Sequence, residues 1–170
     1  LKGDRVGLVA FAGSSFLQCP LTIDYAAFAM TLDDLYAGII PRGGTAIEQA
    51  LQTAIRSFEK DTGADRAIIL ITDGEDHEGD PLRLENELKR FQIRVYAIGV
   101  GTLEGELVPQ AEAEAAGGGF LKDRAGQVVK SRLVEDKLQQ LALATGGAYV
   151  RSAPGDFGLE RVFQESIAHL

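Results

Sequence analysis

The sequence contains few of the residues on which disulfide frameworks, zinc sites and nucleic-acid surfaces depend. It has one cysteine, Cys19, and no tryptophan among its 170 residues, so an internal disulfide is excluded. Its two histidines are too few for a histidine-rich zinc site. The net charge of −8 argues against nucleic-acid binding, because phosphate recognition needs clustered lysine and arginine. These classes of protein are therefore disfavoured.

Long hydrophobic runs are also missing. No apolar stretch approaches the roughly 18 residues needed to cross a bilayer, and the first residues show no basic-then-apolar signal sequence. What remains is an ordinary globular composition, with 45% hydrophobic and 25% charged residues, in a length that suits one domain. Cys19 follows an apolar stretch and precedes Pro20, so we expect it to be a small buried hydrophobic side chain.

The hydrophobic pattern alternates between strands and helices along most of the chain. Strands are predicted over residues 6–12, 16–21, 67–72, 93–100 and 148–151, and helices over 24–35, 45–58, 81–91, 134–145 and 159–169. The first two strands suit a hairpin, residues 102–119 an irregular excursion, and residues 120–131 an exposed hairpin turning at 124–126. This order predicts an α/β fold: a Rossmann-like, mainly parallel sheet with an antiparallel edge strand and helices on both faces.

The stretch from Ala67 to Gly74 is the most informative in the chain. Its apolar, β-branched residues predict a strand buried on both faces, and the strand ends in Asp73. Ligands of open α/β sheets bind beyond the carboxyl ends of the strands. Acidic residues follow over 75–80, and a hard cation such as Mg²⁺ or Ca²⁺ prefers carboxylate and hydroxyl oxygens. Asp73 is therefore a candidate metal ligand.

Several separate sequence blocks occur in one order along the chain. They are Gly-Asp-Arg-Val-Gly-Leu-Val-Ala-Phe-Ala-Gly at 3–13, Gln-Cys-Pro-Leu-Thr-Ile-Asp-Tyr at 18–25, Gly-Gly-Thr at 43–45, Ile-Thr-Asp-Gly-Glu-Asp-His-Glu at 71–78 and Tyr-Ala-Ile-Gly-Val-Gly at 96–101. Together they closely resemble a von Willebrand factor A domain, and the blocks at 3–13, 18–25 and 71–78 resemble its bacterial aerotolerance (Bat-type) subgroup. The resemblance covers nearly the whole chain.

The resemblance implies a metal-ion-dependent adhesion site, in which a bound divalent cation accepts a carboxylate from a partner protein. The family's ligands come from an Asp-x-Ser-x-Ser triplet after the first strand, a loop threonine and an aspartate after the fourth strand. Here the threonine corresponds to Thr45 and the aspartate to Asp73. No Asp-x-Ser-x-Ser occurs in the 170 residues. We therefore expect residues 1–170 to form a single domain of this family that lacks its first strand and first helix.

The cofactor expected from the resemblance is Mg²⁺, Mn²⁺ or Ca²⁺, bound fully in a longer parent protein. With Thr45 and Asp73 alone, we expect a dissociation constant of about 10⁻³ M or weaker. Both residues also have structural explanations. Thr45-Ala-Ile-Glu48 matches a helix capping box, and Asp73-Gly74 matches a turn after a strand. The acidic residues at 75–80 fit a solvated loop.

A missing central strand has physical consequences. In the family fold this strand lies between the strands predicted here at 6–12 and 67–72, and unpaired buried backbone groups cost about 1–3 kcal/mol each. Either these two strands pair directly, or a second copy fills the gap to form a strand-exchanged homodimer.

The function implied by the resemblance is a non-enzymatic protein-interaction module of a bacterial envelope protein related to aerotolerance. The segment itself would be soluble, with membrane anchors outside it. Its protein partner would offer an acidic residue, and the domain would work alongside a MoxR-type AAA ATPase. It would not bind nucleic acid. Two alternatives stay open: a metal-independent structural interaction domain, and a Toprim-like, Mg²⁺-dependent nucleotidyl-transfer enzyme that uses Asp73 and Glu75.

Overall fold

The computed structural model describes residues 3–58, 63–76, 78–109, 119–122 and 125–169. The strands are β1 (Val6–Phe11), β2 (Ser15–Thr22), β3 (Arg66–Thr72), β4 (Ile93–Gly99), β5 (Glu106–Leu107), β6 (Lys130–Ser131) and β7 (Tyr149–Arg151). The α-helices are α1 (Tyr25–Asp33), α2 (Ile47–Ser57), α3 (Glu85–Arg90), α4 (Asp136–Ala144) and α5 (Leu159–Glu165), and short 3₁₀ helices cover Pro81–Leu84 and Ile167–His169. Each predicted element is present, with ends that differ by a few residues.

The strands of the main sheet form two separate parts. β3, β4 and β7 make a parallel sheet in the order β3-β4-β7. β1 and β2 make the predicted antiparallel hairpin, with Phe11 beside Ser15. Pro20 lies on β2, where an edge position tolerates the missing N–H. The mainly parallel α/β architecture is confirmed, and Cys19 is buried as expected.

One face of the parallel sheet carries the larger core. Helices α2, α3 and α4 pack there because each has an apolar stripe at helical spacing. The buried side chains of this core include Ile47, Leu51, Ile55, Leu70, Leu84, Leu88, Ile93, Val95, Leu138 and Leu141. Phe11 of β1 packs against the same core, and the Ser15 hydroxyl donates to the Gln49 carbonyl at 3.0 Å. Helix α2 therefore ties the hairpin to the rest of the domain.

The other face is well covered over β4 and less covered over the second half of β3. Val162 of α5 packs against Tyr96 and Ile98 of β4, which confirms helices on both faces. On β3, Ile69 and Ile71 are 38% and 42% exposed. The prediction that residues 67–72 are buried on both faces is wrong for this face, because an apolar composition does not reveal which strand a helix covers.

The region from 102 to 131 is more regular than expected. β5 and β6 pair antiparallel, and the Val108 N–H donates to the Val129 carbonyl at 3.1 Å. The predicted hairpin is present as a bridge between Lys122 and Val128, with Gly126 at a φ of 78° in its turn. Residues 110–118 of the excursion and Arg124 of the turn lie outside the described residues.

A cleft separates β1 from β3. Its volume is about 590 Å³, and it is lined by residues 9–12, the segment 35–40, Thr45, Ile71 and Thr72. Within the described part of the chain, β1 pairs only with β2, and β3 pairs only with β4. The alternative in which β1 and β3 pair directly is therefore wrong. Among the helices that the structure describes, none has the length and apolar character to cross a membrane.

Candidate functional site

The two predicted site residues lie at the same end of the molecule. Thr45 and Thr72 both line the cleft between β1 and β3. Asp73 follows Thr72 directly, at the carboxyl end of β3. In open α/β sheets this end holds the ligands. The fold thus brings the loop threonine to the edge where the aspartate begins its turn.

The loop that carries Thr45 is fixed by close backbone contact with the end of β1. The Ala46 N–H donates to the Ala12 carbonyl at 2.8 Å, and the Gly13 N–H donates to the Arg42 carbonyl at 3.0 Å. A Cβ on Gly13 would lie 2.2 Å from the Gly43 carbonyl oxygen. Only glycine at position 13 lets the loop approach this closely, so Gly13 sets the position of Thr45.

Thr45 does not form the predicted capping box. The N-cap of α2 is Ala46, which makes no side-chain capping bond. Glu48, the other half of the predicted box, instead accepts the Asp80 N–H through Oε2 at 2.8 Å. The capping interpretation is wrong because Glu48 is used to hold the acidic loop. The half-buried Thr45 hydroxyl is left outside the helix cap.

Asp73 lies in a turn and has both carboxylate oxygens engaged. Its Oδ1 accepts the Glu75 N–H at 3.2 Å, and its Oδ2 accepts the Ser131 hydroxyl at 2.8 Å. Gly74 has a φ of 76°, and a Cβ there would lie 2.1 Å from the Val134 carbonyl oxygen. The structure therefore contains the turn after β3 that the Asp73–Gly74 sequence predicts, and this turn does not require a metal. Its two internal hydrogen bonds hold the carboxylate in one orientation.

The segment 131–134 is attached to the end of β3. The Val134 N–H donates to the Asp73 carbonyl at 2.8 Å, and the Arg132 N–H donates to the Glu75 carboxylate at 3.3 Å. The Ser131 contact adds a hydroxyl to the candidate site. Sequence reasoning did not find Ser131, because it lies 58 residues from Asp73 beyond a weakly patterned region.

The carboxylates after Glu75 have structural partners. Glu78 pairs with Arg42 at 2.6 Å, and Asp80 caps the following 3₁₀ helix and pairs with Lys137 at 3.3 Å. Asp76 Oδ1 accepts the Glu78 N–H at 3.1 Å. These contacts fit a structured surface loop. His77, which the sequence places in this acidic run, lies outside the described residues.

A charged network connects β7 to the start of α4. The Tyr149 hydroxyl and Arg151 Nε donate to Glu135 Oε1 at 2.6 and 2.7 Å. The Arg151 hydrogen bond holds the pKa of Glu135 below its usual range, against a raising effect of burial. Burial, with the Glu135 contact, raises the pKa of Tyr149, and the Glu135 hydrogen bond raises that of Arg151. The network fixes the start of α4 on β7.

The candidate ligands are of the chemical types that a hard cation prefers, but there are few of them. Thr45 offers a hydroxyl oxygen and Asp73 a carboxylate, the ligand types that Mg²⁺ and Ca²⁺ prefer. Asp76 Oδ2 is buried and has no hydrogen-bond partner among the described residues. Within the same part of the chain, no three His, Cys, Asp or Glu side chains group as a metal site would require. Tight binding would therefore need further ligands.

The comparisons with known proteins agree with this architecture. The sequence matches the von Willebrand factor type A domain family over residues 2–152. An uncharacterized protein from Borreliella burgdorferi is 26% identical over 167 residues, which are 96% of this chain and 46% of that protein. The chain thus spans less than half the length of this curated relative.

Solved structures are more similar. An aerotolerance-related membrane protein from Bacteroides fragilis, crystallised with multiple mutations to serines, is 35% identical with a TM-score of 0.88, covering 100% of this chain and 82% of that one. BatB from Bacteroides thetaiotaomicron is also 35% identical, with a TM-score of 0.82 and coverage of 99% and 82%.

A more distant structure shares the fold alone. Proximal thread matrix protein 1 from the mussel byssus, with a zinc-occupied MIDAS motif, is 20% identical with a TM-score of 0.63, covering 96% of this chain and 33% of that one. The family match and the similarity at 35% identity carry the assignment. The chain belongs to the von Willebrand factor type A family, and within it to the Bat-type domains.

Proposed function

We propose that this domain binds a partner protein at the end of the sheet where Thr45 and Asp73 lie. A divalent cation, Mg²⁺, Mn²⁺ or Ca²⁺, would be held weakly by these two residues, and a carboxylate of the partner would complete its coordination. The observation that carries the proposal is the convergence of Thr45 with the end of β3 at one cleft. Domains of this family generally act as protein-interaction modules.

The chemistry of the two ligands favours an acidic partner. A neutral hydroxyl and a single carboxylate leave a divalent ion short of negative charge, so it attracts a carboxylate from outside. With few protein ligands, the ion is held at the feeble end of protein sites, with a dissociation constant of about 10⁻³ M or weaker. A partner carboxylate would therefore add both affinity and specificity.

The setting of the function is proposed from the similar proteins. Similarity at 35% identity to an aerotolerance-related membrane protein and to BatB supports a bacterial envelope protein related to aerotolerance. The domain would be anchored by membrane helices elsewhere in a longer protein and would work with a MoxR-type AAA ATPase. Nucleic acid has no role in this proposal.

The cleft adds a second binding element to the proposal. β1 and β3 each present an edge toward it that is unpaired within the described residues. One extended segment inserted between them would satisfy both edges. For this chain alone, we propose that a second copy supplies the segment by strand exchange. Size-exclusion chromatography with light scattering tests this point, and a clean monomer at micromolar concentration removes it.

Partner binding in the longer protein tests the proposed function. Asp73→Ala and chelation of divalent cations should each weaken binding of the MoxR-type ATPase by about tenfold or more, since a metal-bridged contact needs both. Asp33→Ala, on an exposed residue at the end of α1, is the matched control and should leave binding unchanged. Surface plasmon resonance with Mg²⁺ or EDTA provides the measurement.

A metal-independent interaction domain is the second candidate. It is favoured by the two internal hydrogen bonds to the Asp73 carboxylate, which give this residue a structural role. Partner binding that survives both EDTA and Asp73→Ala would select this candidate. The family match over residues 2–152, which includes Asp73 and Glu75, favours an interaction module over the Toprim-like enzyme.

A further inference from the structure

Ser131 reaches the candidate site from a distant part of the chain. It ends β6, beside Glu106 of β5. Its hydroxyl donates to Asp73 Oδ2 at 2.8 Å. The two residues are 58 positions apart, and the contact is partly buried. The antiparallel extension therefore touches the carboxylate on which the proposed cation site depends.

The backbone already holds this segment without the hydroxyl. The Val134 N–H donates to the Asp73 carbonyl and the Leu133 N–H to the Thr102 carbonyl, both at 2.8 Å. The Val108 N–H donates to the Val129 carbonyl at 3.1 Å. The hydroxyl of Ser131 is therefore not needed for the register of the extension. What it adds is a restraint on the Asp73 side chain.

That restraint acts on a carboxylate that can still bind a ligand. The Glu75 N–H holds Oδ1 at 3.2 Å, and Ser131 holds Oδ2. An ionised carboxylate has about four acceptor positions, so two internal donors leave room for a cation. Fixing the rotamer in advance removes an entropy cost from binding, as residues behind metal ligands generally do.

We infer that Ser131 is a positioning residue for Asp73, holding its carboxylate in one orientation. The inference rests on the proposed cation site for its functional meaning, but the orientation itself is measurable without metal. Cation binding and order in the β5–β6 extension should then influence each other, because coupling between two sites is reciprocal.

Nuclear magnetic resonance of the intact chain tests the inference in two steps. Without metal, side-chain couplings should show one Asp73 rotamer in the wild type and averaging in Ser131→Ala. Titration with Mg²⁺ should then show about tenfold weaker binding in Ser131→Ala. Ser131→Thr keeps the hydroxyl and should restore both properties. Ser57→Ala is the matched control, because that hydroxyl donates to the Ala54 carbonyl at the end of α2.

The outcomes separate this inference from the proposed function. An unchanged rotamer together with unchanged Mg²⁺ affinity in Ser131→Ala overturns the inference and leaves the cation site standing. Rotamer averaging with no Mg²⁺ response in any variant supports the positioning role and removes the cation site. Amide exchange at Val129 and Val134 verifies folding. Ser131→Cys keeps the volume with a weak donor and replaces the alanine variant if that variant unfolds.

Discussion

Two isoleucines on neighbouring strands show that β3 and β4 are covered to different extents on the same face of the sheet. Ile71 of β3 and Ile98 of β4 are register partners, so their side chains lie side by side on one face. Ile98 is 0% exposed and Ile71 is 42% exposed. The same pattern holds one step earlier, where Tyr96 is 2% exposed and Ile69 is 38% exposed.

The difference comes from what covers each strand. α5 packs on β4 through Val162, and β7 pairs with the far edge of β4. The other edge of β3, which has no strand partner among the described residues, lies along the cleft. An apolar strand that is only half covered is suited to binding. Burial of its exposed isoleucines would contribute about 25 cal/mol of favourable free energy for each Å² of apolar surface removed from water. We call the part of the sheet formed by β4 and β7 the closed side and the part formed by β3 along the cleft the open side. The closed side supports the domain, and the open side carries the proposed interactions.

The largest expected effect distinguishes these two isoleucines directly. Ile98→Ala should lower the free energy of unfolding by about 2–5 kcal/mol, because it leaves a cavity under α5. Ile71→Ala is the matched control, and it should cost about 1 kcal/mol or less because part of the side chain is already in water. Urea denaturation measures both. Equal losses would mean that the two strands are equally covered in solution.

A second variant tests the crowding at the end of β4. A Cβ on Gly99 would lie 2.2 Å from the Tyr149 hydroxyl. Gly99→Ala should therefore cost about 1–3 kcal/mol by overpacking. In the Tyr149→Phe background the cost should fall, because the clashing oxygen is gone. A double-mutant cycle of unfolding free energies checks the coupling, and strict additivity would refute the clash.

The charged network on the closed side predicts a pH dependence. Arg151 lowers the pKa of Glu135 in the folded state, below the unfolded value of about 4.3. The ionised form is therefore favoured by folding. Its stabilisation is complete above that unfolded value and is lost as the pH falls through the lowered pKa.

Glu135→Gln should thus be less stable than the wild type at neutral pH and should lose less stability on acidification below about pH 4.3. Thermal unfolding between neutral pH and about pH 3 measures the two slopes. Asp65→Asn, which weakens an exposed pair with Arg94, is the control. Parallel curves for wild type and Glu135→Gln would show that this carboxylate does not contribute.

The smallest change in stability is expected on the open side. Ile71→Lys places a charge on an exposed strand and should alter the unfolding free energy by about 1 kcal/mol or less. It should nevertheless reduce self-association, because lysine on an open edge opposes strand pairing. Sedimentation velocity compares the two proteins. A wild type that is a clean monomer at micromolar concentration would contradict strand exchange.

Periodicity and strand order made most of the fold predictable. The helix predicted over 24–35 is one example: Asp24 caps its start and accepts the Ala27 N–H at 3.0 Å. The family resemblance assigns Thr45 and Asp73 to one metal site, and this predicts that they lie near each other. Thr45 and Thr72, the residue before Asp73, line one cleft, and metal ligation stays a prediction.

The remaining features depend on contacts between distant residues. The Thr45–Glu48 pattern predicted a capping box, but Glu48 bonds to Asp80, 32 residues away. Ser131 gives no local signal of its contact with Asp73. The apolar run 67–72 does not show that Ile69 and Ile71 of β3 are left exposed while Tyr96 and Ile98 of β4 are buried beside α5. Local patterns predict elements, whereas tertiary packing decides which polar groups meet.

The central claim is that Thr45 and Asp73 together hold a hard cation at the open side of the sheet. The direct measurement is titration of this chain with Mg²⁺, in which calorimetry and amide chemical shifts monitor binding. We predict a dissociation constant of about 10⁻³ M, with shifts centred on Thr45, Asp73 and Gly74 that disappear in Asp73→Ala. Micromolar affinity, binding that survives Asp73→Ala, or shifts located elsewhere would contradict the account.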